Sequence, residues 1–210
     1  MLQNRVDPKG MVIKTAARGQ WMGNRGVIHN NQQQIIRPFN LHAWITCRLA
    51  YKNQQLPLMD RNHNTQLFFM DEATALSAGH RPCAFCRRDD YNKFKSFWLK
   101  GNPANGFTKA TTIKPIDDFI HAERINKDGT KITYTTQPGK LPDGSFILLN
   151  DLPFLLYKEQ LYLWSPFGYE KPIQISMTQE VTVLTPASII NTIAAGYQPQ
   201  IATGAGKHPV

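Results

Sequence analysis

The sequence predicts an α+β fold in which short strands and helices precede a mainly antiparallel β-meander and a C-terminal helix. Apolar and polar residues alternate along HAWITCRLAY, residues 42–51, with a period of two that is typical of a strand. Two segments between residues 71 and 100 have helical periodicity and capping residues. β-rich runs follow the turns NKDG and LPDG in the second half of the chain.

The two predicted helices flank the segment HRPCAFC. Asp71 follows the apolar run TQLFFM and is expected to cap the first helix, which ends at Gly79 because glycine readily adopts the left-handed conformation. The second helix begins at residues 89–90, where two aspartates suit the positive end of the helix dipole. Its predicted core face consists of Tyr91, Phe94 and Trp98.

The two halves of the chain differ in pattern. Residues 1–100 contain a polar, glycine-broken stretch of predicted loops and short strands, followed by the two helices. Residues 101–210 contain a short helix, PIDDFIHAER, and then ITYTT, FILL, LPFLLY and QLYLW, which we expect to form the meander. The meander closes with the strand VTVL and is followed by the helix PASIINTIAA, which ends at Gly196. We expect the two regions to pack as one compact unit.

The composition is that of a globular protein with excess positive charge. Hydrophobic residues make up 41% of the 210, and no apolar run approaches the length of a membrane span. Lys and Arg number 24 against 15 Asp and Glu, a net charge of +9 that favours nucleic acid as a partner because neutralised phosphates release counterions. The first ten residues lack the apolar stretch of a secretory signal, so we expect a cytoplasmic protein.

Three cysteines suggest special chemistry. Cys47, Cys83 and Cys86 are too few for a disulfide framework, which leaves metal binding or thiol chemistry. Cys83 and Cys86 form a C-x-x-C pair, half of a tetrahedral metal site, and thiolates with imidazole suit zinc. The sequence contains no Walker loop, no GxGxxG and no G-x-S-x-G, so nucleotide hydrolysis and serine-hydrolase chemistry have no support.

The run FFMDEATALSAGHRPCAFCRRDD resembles the zinc-binding module of Ada-type DNA methylphosphotriester repair proteins, in which a strand and a helix precede A-x-G-[FY]-R-P-C-x-x-C-x-P-D. With the upstream strand TCRLAY, the resemblance covers roughly residues 41 to 95. It implies an Ada-like module with one zinc ion, and it places Cys47 where the family has its methyl-accepting cysteine. Tyr51 stands where the family has its next cysteine. The whole chain is also similar to uncharacterised bacterial proteins, which implies a bacterial source but no function.

The fourth metal ligand has several candidates, because tyrosine is a poor zinc ligand beside thiolates. His80 creates H-x-x-C-x-x-C, His42 lies on the Cys47 strand, and His63 lies in the intervening loop. We favour His80, since it adds a ligand where the family has only an aromatic ring; alternatively, His80 packs and caps while Cys47 is an ordinary buried thiol. The predicted zinc ligands are Cys47, His80, Cys83 and Cys86.

Three functions fit these residues. The first is a protein with mainly structural zinc that binds DNA, with phosphate contacts from Arg81, Arg87 and Arg88. The second is an enzyme, either an alkyl acceptor or a DNA-processing activity, and the third is a protein-interaction module with structural zinc. The candidate catalytic residues are Cys47, His121, Glu123 and Arg124.

A glycine-rich segment near the N-terminus also contains candidates for phosphate binding. Arg18 and Arg25 flank Trp21 in RGQWMGNRG, and Arg5 lies upstream. The arginines can lie against phosphate while the indole stacks on a base. A tryptophan that anchors a loop explains the same residues equally well.

Overall fold

The structure is a computed structural model, and it describes residues 1–51, 58–61 and 63–202. Within these residues the chain forms two six-stranded, mostly antiparallel sheets and four α-helices, so the predicted α+β class is confirmed. Two short 3-10 helices lie at Pro103–Asn105 and Pro138–Lys140. No helix in this part of the chain has the length and apolarity needed to cross a membrane.

The first sheet is built entirely from strands that precede the cysteine pair. They are β1 (Gln3–Val6), β2 (Val12–Lys14), β3 (Trp21–Asn24), β4 (Ile45–Cys47), β5 (Leu67–Phe69) and β6 (Arg81–Pro82). Their spatial order is β2-β1-β5-β3-β4-β6, and the β1–β5 and β4–β6 pairs are parallel. The N-terminal region predicted as loops and short strands thus supplies half of this sheet.

The strand predicted over residues 42–51 is shorter in the structure. Only β4 pairs with neighbours, antiparallel to β3 and parallel to β6. On the other side, β6 is only two residues long, and one further backbone bond, from the Cys83 amide to the Thr46 carbonyl at 2.9 Å, extends the pairing beyond Pro82. The chain after Cys47 leaves the sheet, and Leu49 is 52% exposed.

The helices follow the capping signals of the sequence. They are α1 (Glu72–Ser77), α2 (Arg88–Gly101), α3 (Ile113–Arg124) and α4 (Ala187–Ala194). The amide of Thr74 donates to Asp71 Oδ1 at 2.8 Å, which confirms the predicted N-cap of α1. Gly79 follows α1 with φ +85°, and a Cβ there would lie 2.4 Å from Arg124 Cδ, so glycine is needed for both reasons.

The second sheet contains the predicted meander. Its strands are β7 (Tyr134–Thr136), β8 (Ser145–Leu149), β9 (Leu152–Tyr157), β10 (Gln160–Ser165), β11 (Gly168–Ile173) and β12 (Val181–Val183), in the spatial order β11-β10-β9-β8-β12-β7. The sequence analysis missed β11 because GYEKPI is polar and contains Pro172. An edge strand tolerates both features, since one side of it forms no ladder bonds.

The core clusters combine residues from both halves of the chain. Met70 and Ala73, before and within α1, pack with Phe146 and Leu155 of the second sheet. A separate helical cluster brings α4 against α2 and α3. Its buried members include Leu76, Phe94, Trp98, Ile116, Ile120, Ile189 and Ile193. Phe94 and Trp98 therefore face the core as predicted.

A buried carboxylate connects three parts of the fold. Glu72, 3% exposed at the start of α1, accepts a hydrogen bond from Arg87 Nη2 at 2.6 Å. The Tyr197 hydroxyl donates to the same oxygen, Oε1, at 2.7 Å, and the Gln200 amide donates to Oε2 at 3.0 Å. The carboxylate thus joins α1 to the residue before α2 and to the segment after α4.

We predict that Glu72→Ala lowers the free energy of unfolding by about 3–5 kcal/mol, because it leaves the buried guanidinium of Arg87 with only the more exposed Asp90 as a counter-charge. Urea unfolding followed by circular dichroism measures the change. Glu180→Ala, which removes an exposed carboxylate, is the control and should change stability by less than about 0.5 kcal/mol. Equal unfolding midpoints for the two variants would show that the Glu72 interaction adds no net stability.

Candidate metal centre

Parallel strand pairing brings Cys47 next to Cys83. Ile45 pairs with Arg81 and Thr46 with Pro82, so the next residue of each strand is a cysteine in equivalent register. The Cys83 amide donates to the Thr46 carbonyl at 2.9 Å and continues the ladder. Two cysteines that are far apart in sequence therefore lie side by side at one end of the sheet.

A tight turn returns Cys86 to the same point. The Arg87 amide donates to the Cys83 carbonyl at 3.1 Å, and the Phe85 amide donates to Cys83 Sγ at 3.3 Å. An amide that points at the sulfur stabilises negative charge on it. The turn ends where α2 begins, so the helix fixes the direction in which Cys86 leaves the site.

The three sulfur atoms all lie within 4.8 Å of one another. Sulfurs bound to one tetrahedral zinc at 2.3 Å are separated by about 3.8 Å, so small side-chain movements suffice to close them around an ion. Cys83 and Cys86 are buried, and Cys47 is partly exposed. In the described part of the chain, no other group of three His, Cys, Asp or Glu side chains is arranged in this way.

The three thiols shift one another's pKa values. A hydrogen bond from the Cys47 thiol lowers the pKa of Cys83 to about 5, and amides at Cys86 and Phe85 also favour its thiolate. The same hydrogen bond, together with burial, raises the pKa of Cys47. Burial raises the pKa of Cys86, partly offset by a hydrogen bond from the Arg48 amide. Cys83 is therefore the sulfur that carries negative charge most readily.

The predicted histidine ligand lies elsewhere. His80 is fully buried, and its Nε2 accepts a hydrogen bond from Arg25 Nε at 3.2 Å. Its ring packs against Trp44 and Phe69 at centroid distances of 5.0 Å and 4.6 Å. Burial and the charge of Arg25 hold the pKa of His80 well below its usual value, so the ring is neutral. The structure thus favours the packing alternative for His80 and does not bring it into the cysteine group.

The other two candidate histidines also have partners outside the cysteine group. His42 Nδ1 lies 2.7 Å from Asp118 Oδ1 at the surface. His63 Nδ1 lies 2.7 Å from Asp60 Oδ2, three residues earlier in the chain. Within the described residues, the protein therefore supplies three cysteine ligands and no histidine to this site.

Two of the three arginines predicted to bind phosphate are buried in ion pairs. Arg81, 5% exposed, donates from Nε and Nη2 to the two carboxylate oxygens of Asp117, each at 2.7 Å. Arg87, 2% exposed, donates to Glu72 as described above. Arg88 alone is exposed. Arg81 and Arg87 were predicted to contact DNA phosphate, and this prediction is corrected. Carboxylates of the protein itself already accept the hydrogen bonds that these two guanidinium groups donate.

The predicted cluster on α3 divides between two faces. His121 Nδ1 lies 2.8 Å from Arg124 Nη2, and the His121 ring stacks on His42 at 3.9 Å. Glu123 Oε2 instead accepts a hydrogen bond from the Ser188 amide at 3.0 Å, at the start of α4. Because residues three apart share a helix face and adjacent ones do not, Glu123 is directed away from the other two.

Sequence analysis missed an aromatic pair beside the cysteines. Phe85 lies between the two cysteines of the turn, is 64% exposed, and packs edge-on against Tyr51 at a centroid distance of 5.2 Å. The tip of a C-x-x-C turn is displayed at the surface because both flanking cysteines point inward. The aromatic residue within the motif was the signal that identifies this exposed position.

Comparisons of the chain with protein-family models, with curated proteins and with solved structures found no match. The resemblance to the Ada-type module therefore stays a prediction that depends on the motif. The geometry of the three cysteines, by contrast, is independent of that resemblance.

We predict that replacing any one of Cys47, Cys83 or Cys86 with serine lowers the affinity for cobalt(II) by more than about 100-fold, since each removes a thiolate ligand. Absorption from thiolate-to-cobalt charge transfer during titration measures binding. His80→Gln, which keeps an acceptor for Arg25, is the control and should bind cobalt like the parent protein. Loss of cobalt binding in that variant would reinstate His80 as a ligand.

Proposed function

We propose that this protein binds one zinc ion through the thiolates of Cys47, Cys83 and Cys86, and that the zinc mainly stabilises the structure. The convergence of the three sulfur atoms within 4.8 Å is the observation that carries the proposal. Soft thiolates select zinc over the hard cations magnesium and calcium, and zinc does not change oxidation state at such a site.

The position of the cysteines supports a structural role. Cys47 is the last residue of β4, Cys83 follows β6 directly, and Cys86 lies two residues before α2. An ion at this point joins two strands of the first sheet to the beginning of the longest helix. Each ligand lies in or near a different element, so the ion restrains the relative positions of these elements more than any one hydrogen bond does.

The fourth ligand has to come from outside the three cysteines. Residues 52–57, KNQQLP, contain no Cys, His, Asp or Glu, and His208 lies outside the described residues. Under this proposal the fourth position is taken by water or by His208. A site with three thiolates carries one negative charge fewer than a four-cysteine site, so it activates Cys47 less as a nucleophile. This charge difference supports a structural ion over an alkyl-accepting one.

We predict that the protein purified without chelators contains about one zinc per chain, and that removing the zinc lowers Tm. A loss of about 3 kcal/mol would correspond to roughly 6–12 °C for a chain of this size. Elemental analysis and thermal unfolding with and without a chelator measure both quantities. Cys83→Ser is the matched control, because its Tm should already be low and should not respond to the chelator. Zinc-free protein, or a Tm that the chelator leaves unchanged in the parent chain, contradicts the proposal.

A second candidate function is DNA binding at the exposed face of the cysteine turn. Phe85 is 64% exposed there, and Arg48, which follows Cys47, and Arg88, two residues after Cys86, are also exposed. An exposed aromatic ring with nearby cations is the arrangement that binds single-stranded nucleic acid by stacking and phosphate contact. The net charge of +9 adds a general attraction for polyanions.

We predict that single-stranded DNA binds in a salt-dependent manner, and that Arg48→Ala and Arg88→Ala each reduce the log–log salt slope by about one, since each removes a phosphate contact. Phe85→Ala should weaken binding without changing that slope, because it removes stacking and no charge. Fluorescence anisotropy at several salt concentrations measures both effects. Lys171→Ala, on the edge strand β11, is the control for a general loss of charge. If all four variants bind alike, DNA does not bind at this face.

A further inference from the structure

A cavity of about 240 Å³ lies against the first sheet, and the residues that line it do not include the three cysteines. Its charged lining residues are Lys9, Arg25, Arg37, Arg124, Lys131 and Asp128. Five of these six are cationic. The single acid is already engaged, because both the amide and the hydroxyl of Thr130 donate to Asp128 Oδ1. The charge of the cavity wall is therefore strongly positive.

In the described part of the chain, two of these cations are buried without an ion pair, and Asp7 near Arg25 and Asp117 near Arg124 act on them only from beyond ion-pair distance. Arg25 and Arg124 are each 2% exposed, the same as the ion-paired Arg87. Among residues 1–51, 58–61 and 63–202, no carboxylate forms an ion pair with either of them or with Lys131. Both guanidinium groups instead stack on Trp44, at 3.9 Å and 3.8 Å from its ring centroid. Aromatic stacking holds these groups in place but supplies no negative charge.

Each buried guanidinium also has a donor without a partner. Arg25 uses Nε on His80 and Nη1 on the Pro38 carbonyl, and within the described residues its Nη2 has no hydrogen-bond partner. Arg124 uses Nη1 on the Gly79 carbonyl, while its Nε has no partner in the same part of the chain. Buried donors are nearly always satisfied in folded proteins, so two on one cavity wall call for an acceptor.

The unpaired donor of Arg25 lies close to the cavity wall at Gly10. Gly10 also lines the cavity, and a Cβ added there would lie 3.7 Å from Arg25 Nη2. Gly10 has φ +84°, so the backbone conformation itself selects glycine, and no side chain at this position covers Nη2.

The electrostatic cost of this arrangement appears in the pKa values. Burial lowers the pKa of Arg25 to about 9. Burial, together with the like charges of Arg25 and Arg124, lowers the pKa of Lys131 to about 7. Each cation is thus destabilised in the fold relative to water, and an anion among them would restore its charged form.

We propose that this cavity binds an oxyanion, the phosphate or carboxylate group of a small organic ligand, between Arg25, Arg124 and Lys131. A planar guanidinium and an ammonium are the donors that proteins use for such groups. The rest of the ligand would contact the apolar part of the lining. That part consists of Met11, Val12, Ile35, Pro38, Trp44 and Ile125. A small ligand fits better than a polymer backbone, because the two arginines are almost fully buried.

His80 acts in this site as a positioning residue. Its neutral ring accepts from Arg25 Nε and fixes the orientation of the guanidinium, whose Nη2 has no hydrogen-bond partner among the described residues and lies near Gly10. Gly79, the preceding residue, offers its carbonyl to Arg124 Nη1 at 2.7 Å. The turn after α1 therefore orients both arginines.

The test measures binding of inorganic phosphate and of acetate by calorimetry and by the shift in Tm, with sodium chloride at equal ionic strength as the reference. We expect at least one oxyanion to raise Tm above the chloride reference, and comparison of the two separates phosphate from carboxylate ligands. Lys131→Met should weaken this binding by about tenfold or more, because it removes a charge-assisted hydrogen bond. Lys127→Met, an exposed lysine on the same hairpin that does not line the cavity, should bind like the parent protein.

Stability separates this effect from misfolding. Lys131→Met removes a cation that burial disfavours and also the hydrogen bond from its Nζ to the Ser77 carbonyl, so near pH 6 the variant without ligand should fold with a Tm close to that of the parent chain. Arg37→Met, at the exposed rim, is a second variant that leaves the buried arginines untouched and should weaken binding less than Lys131→Met. Tm shifts no larger than those with chloride, or equal oxyanion affinity in the Lys131→Met and Lys127→Met variants, would overturn the proposal.

Discussion

The parallel pairing of β4 with β6 is the interaction on which both candidate sites depend. Continuing the register past Thr46 and Pro82 places Cys47 beside Cys83. Trp44 directly precedes β4, and its carbonyl accepts a hydrogen bond from the Arg81 amide at 3.1 Å. This bond places Trp44 beside His80. The short β4–β6 ladder thus places the cysteines at one end and the cluster of Trp44 with its stacked arginines at the other. Shifting the register by one residue would disperse both groups.

The positive charge of the chain is distributed in two different ways in the interior. Arg81 and Arg87 are buried against carboxylates, so they serve the fold and have little left to offer a ligand. Arg25 and Arg124 are buried to the same degree with backbone carbonyls, a neutral histidine and an aromatic ring as their neighbours. Since the burial is alike, the absence of an ion pair among the described residues is what distinguishes the proposed binding site from a structural contact. Charge counted from the sequence cannot make this distinction.

Local patterns predicted what depends on neighbouring residues. The Asp71 cap, the meander and the C-x-x-C turn could be predicted from the sequence, because each depends on contacts between residues that are close together in the chain. The errors concern partners distant in sequence. Arg81 pairs with Asp117, 36 residues away, and His80 with Arg25, 55 residues away. A histidine three residues before a cysteine pair resembles a metal ligand in sequence, but tertiary packing gives its ring a different partner.

The segment from Gly79 to Cys83 places the two sites close together along the chain. Its first residues orient Arg124 and Arg25 through a carbonyl and a ring nitrogen, and its last residue, Cys83, contributes a sulfur to the candidate metal centre. Between them, Arg81 is fixed to Asp117 by a bidentate ion pair that resists displacement. Because that ion pair and the β4 ladder hold the middle of the segment, movement at the cysteines has to break buried bonds before it reaches the arginines. The geometry therefore favours two sites that share one scaffold and keep separate binding equilibria.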